Sequence, residues 1–203
     1  MACVLALDPG QTGDAAALVA LRSTGHRPLT RWALWEVVTV IAVRGLTYGK
    51  LAALTAGLGR DLAEHGMGTP LTVVDHTGAG RPVTEMLMDA GPAGPVFAIT
   101  FTGGEKVTRP PGPLPAVAHY AVPKWMLVEH IRSALEHQAL TIPASTPGVE
   151  LLTAELAAFS ALGTTWRGRV RTGARAGAHD DTVTALASGL WAGDLYYAGG
   201  GPS

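Results

Sequence analysis

The chain has 203 residues and a mass of 20.9 kDa, which is the size of one ordinary domain or of one and a half. Hydrophobic residues make up 47% of the chain and the mean hydropathy is +0.23, so a sizeable core can form and wholesale disorder is excluded. The net charge of −1 excludes a polycation, so any contact with nucleic acid must come from a local patch.

Three apolar segments at the start of the chain predict strands. Residues 2–7 form a short apolar run that ends in the turn signal Asp8-Pro9-Gly10. Residues 15–21 and 32–43 predict the next two strands, with a loop at 22–28 between them. Because both connections are short, we expect the three strands to be antiparallel neighbours.

Helices and strands alternate in the middle of the chain. Leucines recurring at intervals of three and four predict a helix that ends near Gly66. Residues 71–75 predict a fourth strand, which again ends in an aspartate, Asp75. Residues 81–91 predict a short helix, and residues 95–101 predict a fifth strand.

The last part of the chain is expected to be a long loop followed by helices. Residues 102–118 are rich in proline and glycine, which excludes a regular helix and a central strand. Pro123 can open a helix, residues 150–159 predict a second one, and a last helix begins at or near residues 179–181. Glu155 is expected on the solvated face of the second of these helices.

This order of elements predicts an α/β fold. We expect a mixed sheet, three antiparallel strands followed by parallel strands, with helices on both faces. One domain is expected over residues 1–195, with a flexible tail at 196–203. There is no apolar run of about 20 residues that would predict a membrane span. The single cysteine, Cys3, excludes a disulfide framework and a cysteine zinc site, and it favours an intracellular setting.

Aspartates fall at the boundaries of predicted elements. Asp8 and Asp75 end strands, and Asp180 and Asp181 open the last helix. Ligands bind at the carboxyl ends of strands in such sheets, and two carboxylates about 4 Å apart repel by about 4 kcal/mol at an effective dielectric of about 20. Either a proton or a divalent cation must offset that repulsion. Oxygen ligands favour Mg²⁺ or Mn²⁺ over zinc, and two such ions form a nuclease site.

Each of these carboxylates also has a purely structural interpretation. Asp8 can be a turn residue, Asp75 can simply end its strand, and Asp180 can be the N-cap of the last helix. An N-cap needs only one side chain, so capping does not explain both Asp180 and Asp181. Acidic residues at three element boundaries together favour a functional site.

Three segments resemble the nuclease domain of phage terminase large subunits, which are viral DNA-packaging enzymes of the RNase H-like superfamily. They are LALDPGQTGDAAALVAL at 5–21, LTVVDHTGAGRPVTEML at 71–87 and AHDDTVTALASGLWA at 178–192. Segments 120–140 and 150–159 resemble the spacers of that family, so the resemblance covers nearly the whole chain.

The resemblance implies an RNase H-like endonuclease that uses two Mg²⁺ or Mn²⁺ ions to cut double-stranded DNA, the concatemeric viral genome, during packaging. The catalytic metal ligands that it implies are Asp8, Asp75 and one or both of Asp180 and Asp181. The sequence does not decide between the last two, which are about 100° apart on a helix. Asp14 matches a position near the metals or is a loop residue, and His179 either holds a phosphate or a water or is merely exposed.

The resemblance also implies an ATPase motor, a portal and a small terminase as partners, in the cytoplasm of the host, for a protein of viral or prophage origin. The phosphate-binding pattern G-x-x-x-x-G-K-[ST] is missing; the segment RGLTYGKL at 44–51 lacks its first glycine and its final hydroxyl. We therefore expect the nuclease module alone, as an excised domain or a separate subunit, with Lys50 on a surface helix.

Basic residues predict where DNA lies. Glycines around the arginines that precede the last helix allow the backbone to approach a phosphate closely. If about four phosphates are neutralised, the logarithm of the DNA-binding constant should fall with the logarithm of the salt concentration with a slope of about −4. A solvated, flexible basic loop is the alternative. Nothing resembles a base-reading motif, so we expect cleavage that is independent of sequence. The predicted DNA-binding residues are Arg167, Arg169, Arg171, Arg175, Lys106, Arg109 and Lys124.

Other functions remain open on the sequence alone. A Holliday-junction resolvase has the same fold class and would prefer four-way junctions. A non-catalytic nucleotide-binding module of the actin and sugar-kinase type would normally need two lobes, and an inactive scaffold would keep the aspartates without binding metal.

Overall fold

A twisted sheet forms the centre of the computed structural model, which describes residues 1–10, 15–26, 33–160 and 180–197. Within these ranges seven strands make one sheet in the order β6-β5-β4-β1-β2-β3-β7. The strands are β1 (Cys3–Asp8), β2 (Ala16–His26), β3 (Ala33–Val43), β4 (Leu71–Asp75), β5 (Val96–Thr102), β6 (Val117–Pro123) and β7 (Leu140–Thr141). The helices are α1 (Tyr48–Leu62), α2 (Gly80–Asp89), α3 (Lys124–Glu136), α4 (Val149–Ser160) and α5 (Asp181–Tyr197).

The sheet is mixed, as predicted. Strands β1, β2 and β3 are antiparallel neighbours, and β1, β4, β5 and β6 are parallel neighbours. Strands β1 and β4, which end in Asp8 and Asp75, are direct neighbours, with Leu7 opposite Val74. Because β3 also runs parallel to β1, the carboxyl ends of β1, β3, β4, β5 and β6 all lie at one edge of the sheet.

Two strands were missing from the sequence prediction. Strand β6 lies where a loop was expected up to residue 118, and it pairs with β5 along its length. It stands at the end of the sheet order, where a terminal proline such as Pro123 is tolerated because the outer side of the strand needs few ladder bonds. The short β7 pairs with β3 at the other end. Strand β2 also continues to His26, into the segment expected to be a loop.

Side chains alternate between two cores, one on each face of the sheet. On β1, Leu5 and Leu7 face the core shared with α1 and α2, whereas Val4 and Ala6 face the core shared with α3, α4 and α5. Helices therefore cover both faces, as predicted. Helix α5 includes Tyr196 and Tyr197, two residues that the sequence interpretation assigned to the tail. No helix within the described ranges is both long and apolar enough to cross a membrane.

Glycines bring α5 unusually close to the sheet. A Cβ atom built on Gly189 would lie 2.8 Å from the Cβ of Ala6, and one built on Gly193 would lie 2.8 Å from the ring of Trp35. Since Cβ atoms do not approach other heavy atoms this closely, only glycine allows the observed spacing. This packing seats the middle and the second half of α5 on β1 and β3.

Gly189→Ala is therefore expected to lower the free energy of unfolding by about 1–3 kcal/mol, because the new methyl group must push α5 away from β1. Gly57→Ala in α1 is the matched control. A Cβ at Gly57 would meet no atom within 4 Å, so this change should raise the free energy of unfolding by about 0.5–1 kcal/mol. Urea denaturation of both variants tests the packing; equal effects of the two changes would contradict it.

Candidate functional site

The ends of β1 and β4 place two aspartates side by side. The register that pairs Leu7 with Val74 brings Asp8 opposite Asp75 at the next step, on backbones about 4.8 Å apart. Alternation along each strand directs both side chains to the face that α5 covers, since Ala6 and Val73 belong to that core. The sequence argument needed β1 and β4 to be neighbours, and they are.

A tight turn follows each aspartate and orients its carboxylate. The backbone N–H of Gly10 donates to Asp8 Oδ1 over 3.1 Å, and the backbone N–H of Thr77 donates to Asp75 Oδ1 over 2.8 Å. Both are hydrogen bonds to the residue two positions earlier, which is the geometry of Asx turns. The turn interpretation of Asp8 is thus correct, and it does not compete with a functional role, because the turn is what fixes the carboxylate.

Gly80 lets helix α2 begin directly behind Asp75. A Cβ at this position would lie 1.6 Å from the carbonyl oxygen of Asp75, which no larger residue can accommodate. Asp75 is therefore held by its strand, its turn and the packed start of a helix.

Burial raises the pKa of both carboxyl groups, and the charges of neighbouring carboxylates raise that of Asp8 further. Burial raises the pKa of the Asp8 carboxyl to about 8, and the charges of Asp75 and Asp181 add to the rise. Burial raises the pKa of Asp75 to about 6, although hydrogen bonds from Thr77 and the positive charge of Lys124 oppose the rise. Two carboxyl groups with such values favour either a bound proton or a nearby cation.

The first residues of α5 add two further carboxylates with different surroundings. The carbonyl of Asp180 accepts the N–H of Thr184 over 2.8 Å, so Asp180 occupies the N-cap position. Its side-chain Oδ2 lies 3.0 Å from Lys124 Nζ. Asp181, the first residue of α5, instead lies close enough to raise the pKa of Asp8 by its charge.

Lys124 stands at the site itself. It follows Pro123 at the carboxyl end of β6, two strands from Asp75, or about 10 Å in sheet spacing. Its ammonium pairs with Asp180, lies 5.9 Å from the ring centre of Phe101, and lowers the pKa of both Asp8 and Asp75. The sequence analysis placed Lys124 among DNA contacts but did not foresee its place beside the carboxylates.

Arg44 flanks the carboxylates on the opposite side, and the sequence analysis missed it. It follows Val43 at the end of β3, two strands from β1 at the same edge of the sheet. It helps to line a cleft of about 270 Å³, together with Glu155, Asp181 and Thr182. The sequence did indicate a strand that ends just before Arg44, but it did not indicate that α4 and the start of α5 would form a cleft against this strand end.

Lys106 and Arg109 are exposed in the loop between β5 and β6, as expected. The loop is tied down at two points: Thr108 forms an antiparallel bridge with Ala121 of β6, and the indole N–H of Trp125 donates to the carbonyl of Gly104 over 3.2 Å. The guanidinium of Arg109 lies 5.5 Å from the ring centre of Tyr120. Arg109 thus lies beside β6.

Several predicted site residues lie outside the described residues. They are Asp14, His179, Arg167, Arg169, Arg171 and Arg175.

Within the described ranges, no group of three or more His, Cys, Asp or Glu side chains is arranged so that it could hold a metal ion.

Comparison of the fold with solved structures identifies one recurrent type of domain. No protein-family model and no curated protein matches the sequence. The nuclease of the large terminase of the thermophilic phage G20c superposes with a TM-score of 0.62 at 17% identity, covering 94% of this chain and 81% of that one. The human cytomegalovirus terminase nuclease domain gives 0.58 at 9% identity, covering 94% and 82%. The nuclease domain of the bacteriophage SPP1 large terminase, solved with bound Mn, gives 0.52 at 13% identity, covering 95% and 86%. The chain has the fold of these domains, which confirms the predicted RNase H-like mixed sheet.

The stability of the metal-free protein should depend on pH through Asp8. Its carboxyl pKa is 3.8 ordinarily and about 8 in the fold, so the folded state binds the extra proton. The stabilisation is complete below about pH 4 and is lost as the pH rises through about 8. In EDTA, the free energy of unfolding should fall between pH 5 and pH 8, and Asp8→Asn should reduce that fall. An equal fall in the variant and the wild type would show that Asp8 is not the group responsible.

Proposed function

We propose that this chain is a divalent-metal-dependent endonuclease that hydrolyses phosphodiester bonds of double-stranded DNA, and that it cuts concatemeric viral DNA during genome packaging. The observation that carries the proposal is the buried pair Asp8 and Asp75, side by side at the ends of two parallel strands with Asp181 in electrostatic reach. Such a pair is costly without a counter-charge, and binding sites are where such costs are retained.

The donor set suits Mg²⁺ or Mn²⁺. The described candidates are all carboxylates, hard oxygen ligands that favour these ions over zinc. We assign metal binding to the pair Asp8 and Asp75, and we propose that Asp181, which forms no metal-holding group with them within the described residues, moves in as a further ligand when an ion binds, with Asp14 as another candidate ligand. Bound there, two ions would activate a water molecule and stabilise the leaving oxygen of the phosphodiester.

Asp180 takes a different part in this proposal. Its carboxylate pairs with Lys124 over 3.0 Å, so we assign to it the positioning of that lysine rather than the holding of a metal. Asp181, which acts on the pKa of Asp8, is the member of the adjacent pair that faces the carboxylates.

Cations on both sides of the carboxylates provide a path for the DNA backbone. Lys124 follows β6, two strands from β4, and Arg44 follows β3, two strands from β1, so five strand spacings, about 24 Å, separate the ends of these two strands. A DNA strand laid along this end of the sheet would contact the two cations through phosphates several nucleotides apart, with the bond to be cut over Asp8 and Asp75. Contacts of this kind carry no base information, so cleavage is expected to show little sequence preference.

Lys106 and Arg109 would extend this path beyond β6. On sequence grounds alone, we keep four further arginines as proposed DNA contacts: Arg167, Arg169, Arg171 and Arg175. On the same grounds, His179 is proposed to hold a phosphate or a water molecule. Solved structures that share the fold include terminase nucleases, one with bound magnesium and one with bound Mn. On that similarity we propose an ATPase motor, a portal and a small terminase as partners, and the host cytoplasm as the place of action.

Digestion of supercoiled plasmid in Mn²⁺ tests the proposal. The wild-type chain should nick and linearise plasmid, EDTA should abolish this, and Asp75→Asn should lower the rate at least about 100-fold, because a neutral amide cannot replace the ligand charge. Asp89→Asn is the matched control, since Asp89 is exposed at the far end of α2, away from the sheet edge that carries Asp75.

Cleavage that survives Asp75→Asn or EDTA would contradict the assignment. A four-way junction assayed beside linear duplex separates this function from that of a junction resolvase. We expect no preference for the junction.

A further inference from the structure

Glu155 is a buried carboxylate that the function described so far does not use. It lies on α4 and is only 9% exposed, although sequence reasoning expected a solvated face. Its Oε2 accepts two hydrogen bonds from Thr182, one from the backbone N–H at 2.9 Å and one from the hydroxyl at 2.5 Å. Glu155 is thus buried because it is bonded to the beginning of another helix.

Thr182 is the residue directly after Asp181. It is fully buried, and its N–H is one of the first in α5, which have no partner inside the helix. A carboxylate from α4 supplies that partner and also interacts favourably with the positive end of the helix dipole. The bonds therefore fix the first turn of α5 from outside the helix.

The position of this first turn determines how close the Asp181 carboxylate lies to the carboxylate of Asp8, whose negative charge repels it. The charges of Asp181 and Asp75 both raise the pKa of Asp8, so each of these two carboxylates repels the charged form of Asp8. The first turn of a helix frays easily when no cap holds it. A shift of that turn would carry the Asp181 carboxylate away from Asp8.

We propose that Glu155 is a positioning residue, which through Thr182 holds Asp181 in place for metal binding beside Asp8 and Asp75. The inference rests on the proposed function. In this proposal Glu155 acts through Thr182, because both of the hydrogen bonds that its Oε2 accepts come from Thr182. It shares the cleft with Asp181, so direct ligation is the alternative that the test must separate.

Three variants make that separation. Glu155→Gln keeps an oxygen that can accept both bonds but removes the charge that a metal ligand needs. Glu155→Ala removes the acceptor. Tyr197→Phe is the matched control, because it removes a hydrogen bond to the carbonyl of Cys3 at the opposite end of the same helix.

Two measurements are made on each full-length protein: amide hydrogen exchange of Thr182 by NMR without metal, and Mn²⁺ affinity by electron paramagnetic resonance. Glu155→Ala should speed exchange of the Thr182 amide at least about 10-fold and weaken Mn²⁺ binding by about 10- to 100-fold, as losses of outer-sphere support do. Glu155→Gln should stay within about threefold of wild type in both measurements, and Tyr197→Phe should leave both unchanged.

Other outcomes overturn the proposal. Mn²⁺ binding that is weakened as much by Glu155→Gln as by Glu155→Ala would make Glu155 a ligand. Unchanged Mn²⁺ affinity in Glu155→Ala, or an equal loss in Tyr197→Phe, would leave it a purely structural residue. Should Glu155→Ala not fold, Thr182→Val, which removes only the hydroxyl donor, takes its place with the same direction of effect. Wild-type protein that binds no Mn²⁺ would instead refute the proposed function, whatever the variants do.

Discussion

The parallel pairing of β1 with β4 forces Asp8 and Asp75 into one small buried volume, and the electrostatic cost of that placement organises the rest of the site. A backbone N–H two residues further on donates a hydrogen bond to each carboxylate and so orients it. The cost appears as raised pKa values, about 8 for Asp8 and about 6 for Asp75. Lys124 offsets only part of it, so the arrangement is best satisfied by added positive charge.

The surrounding fold is built to resist this repulsion. Gly80 allows a helix to close directly behind Asp75, and Gly189 allows α5 to sit tightly on β1. Helix α5 brings Asp181 from a distant part of the chain, and the hydrogen bonds from Thr182 to Glu155 tie its first turn to α4. The carboxylates thus destabilise the fold at the ends of β1 and β4, and the packing of the helices around them stabilises it. Such strongly perturbed carboxyl groups are typical of binding sites.

The sequence could predict the carboxylates but not their neighbours. Asp8 and Asp75 end short apolar runs whose length and β-branched residues favour buried strands, so their place at strand ends was accessible from local pattern. The cleft that Arg44 lines was not accessible, because it depends on how α4 and α5 pack over the end of β3, which local pattern does not show. Glu155 was not, because helical periodicity does not reveal which faces another helix will cover. Strand β6 was hidden among prolines that an edge position tolerates.

Anomalous diffraction from a crystal soaked in Mn²⁺ tests most directly whether acidic residues far apart in the sequence form one cation site. The account predicts a manganese peak in contact with the carboxylates of Asp8 and Asp75, with Asp181 at the same cluster. A map without manganese at the ends of β1 and β4, or with these carboxylates turned to separate surfaces, would contradict it.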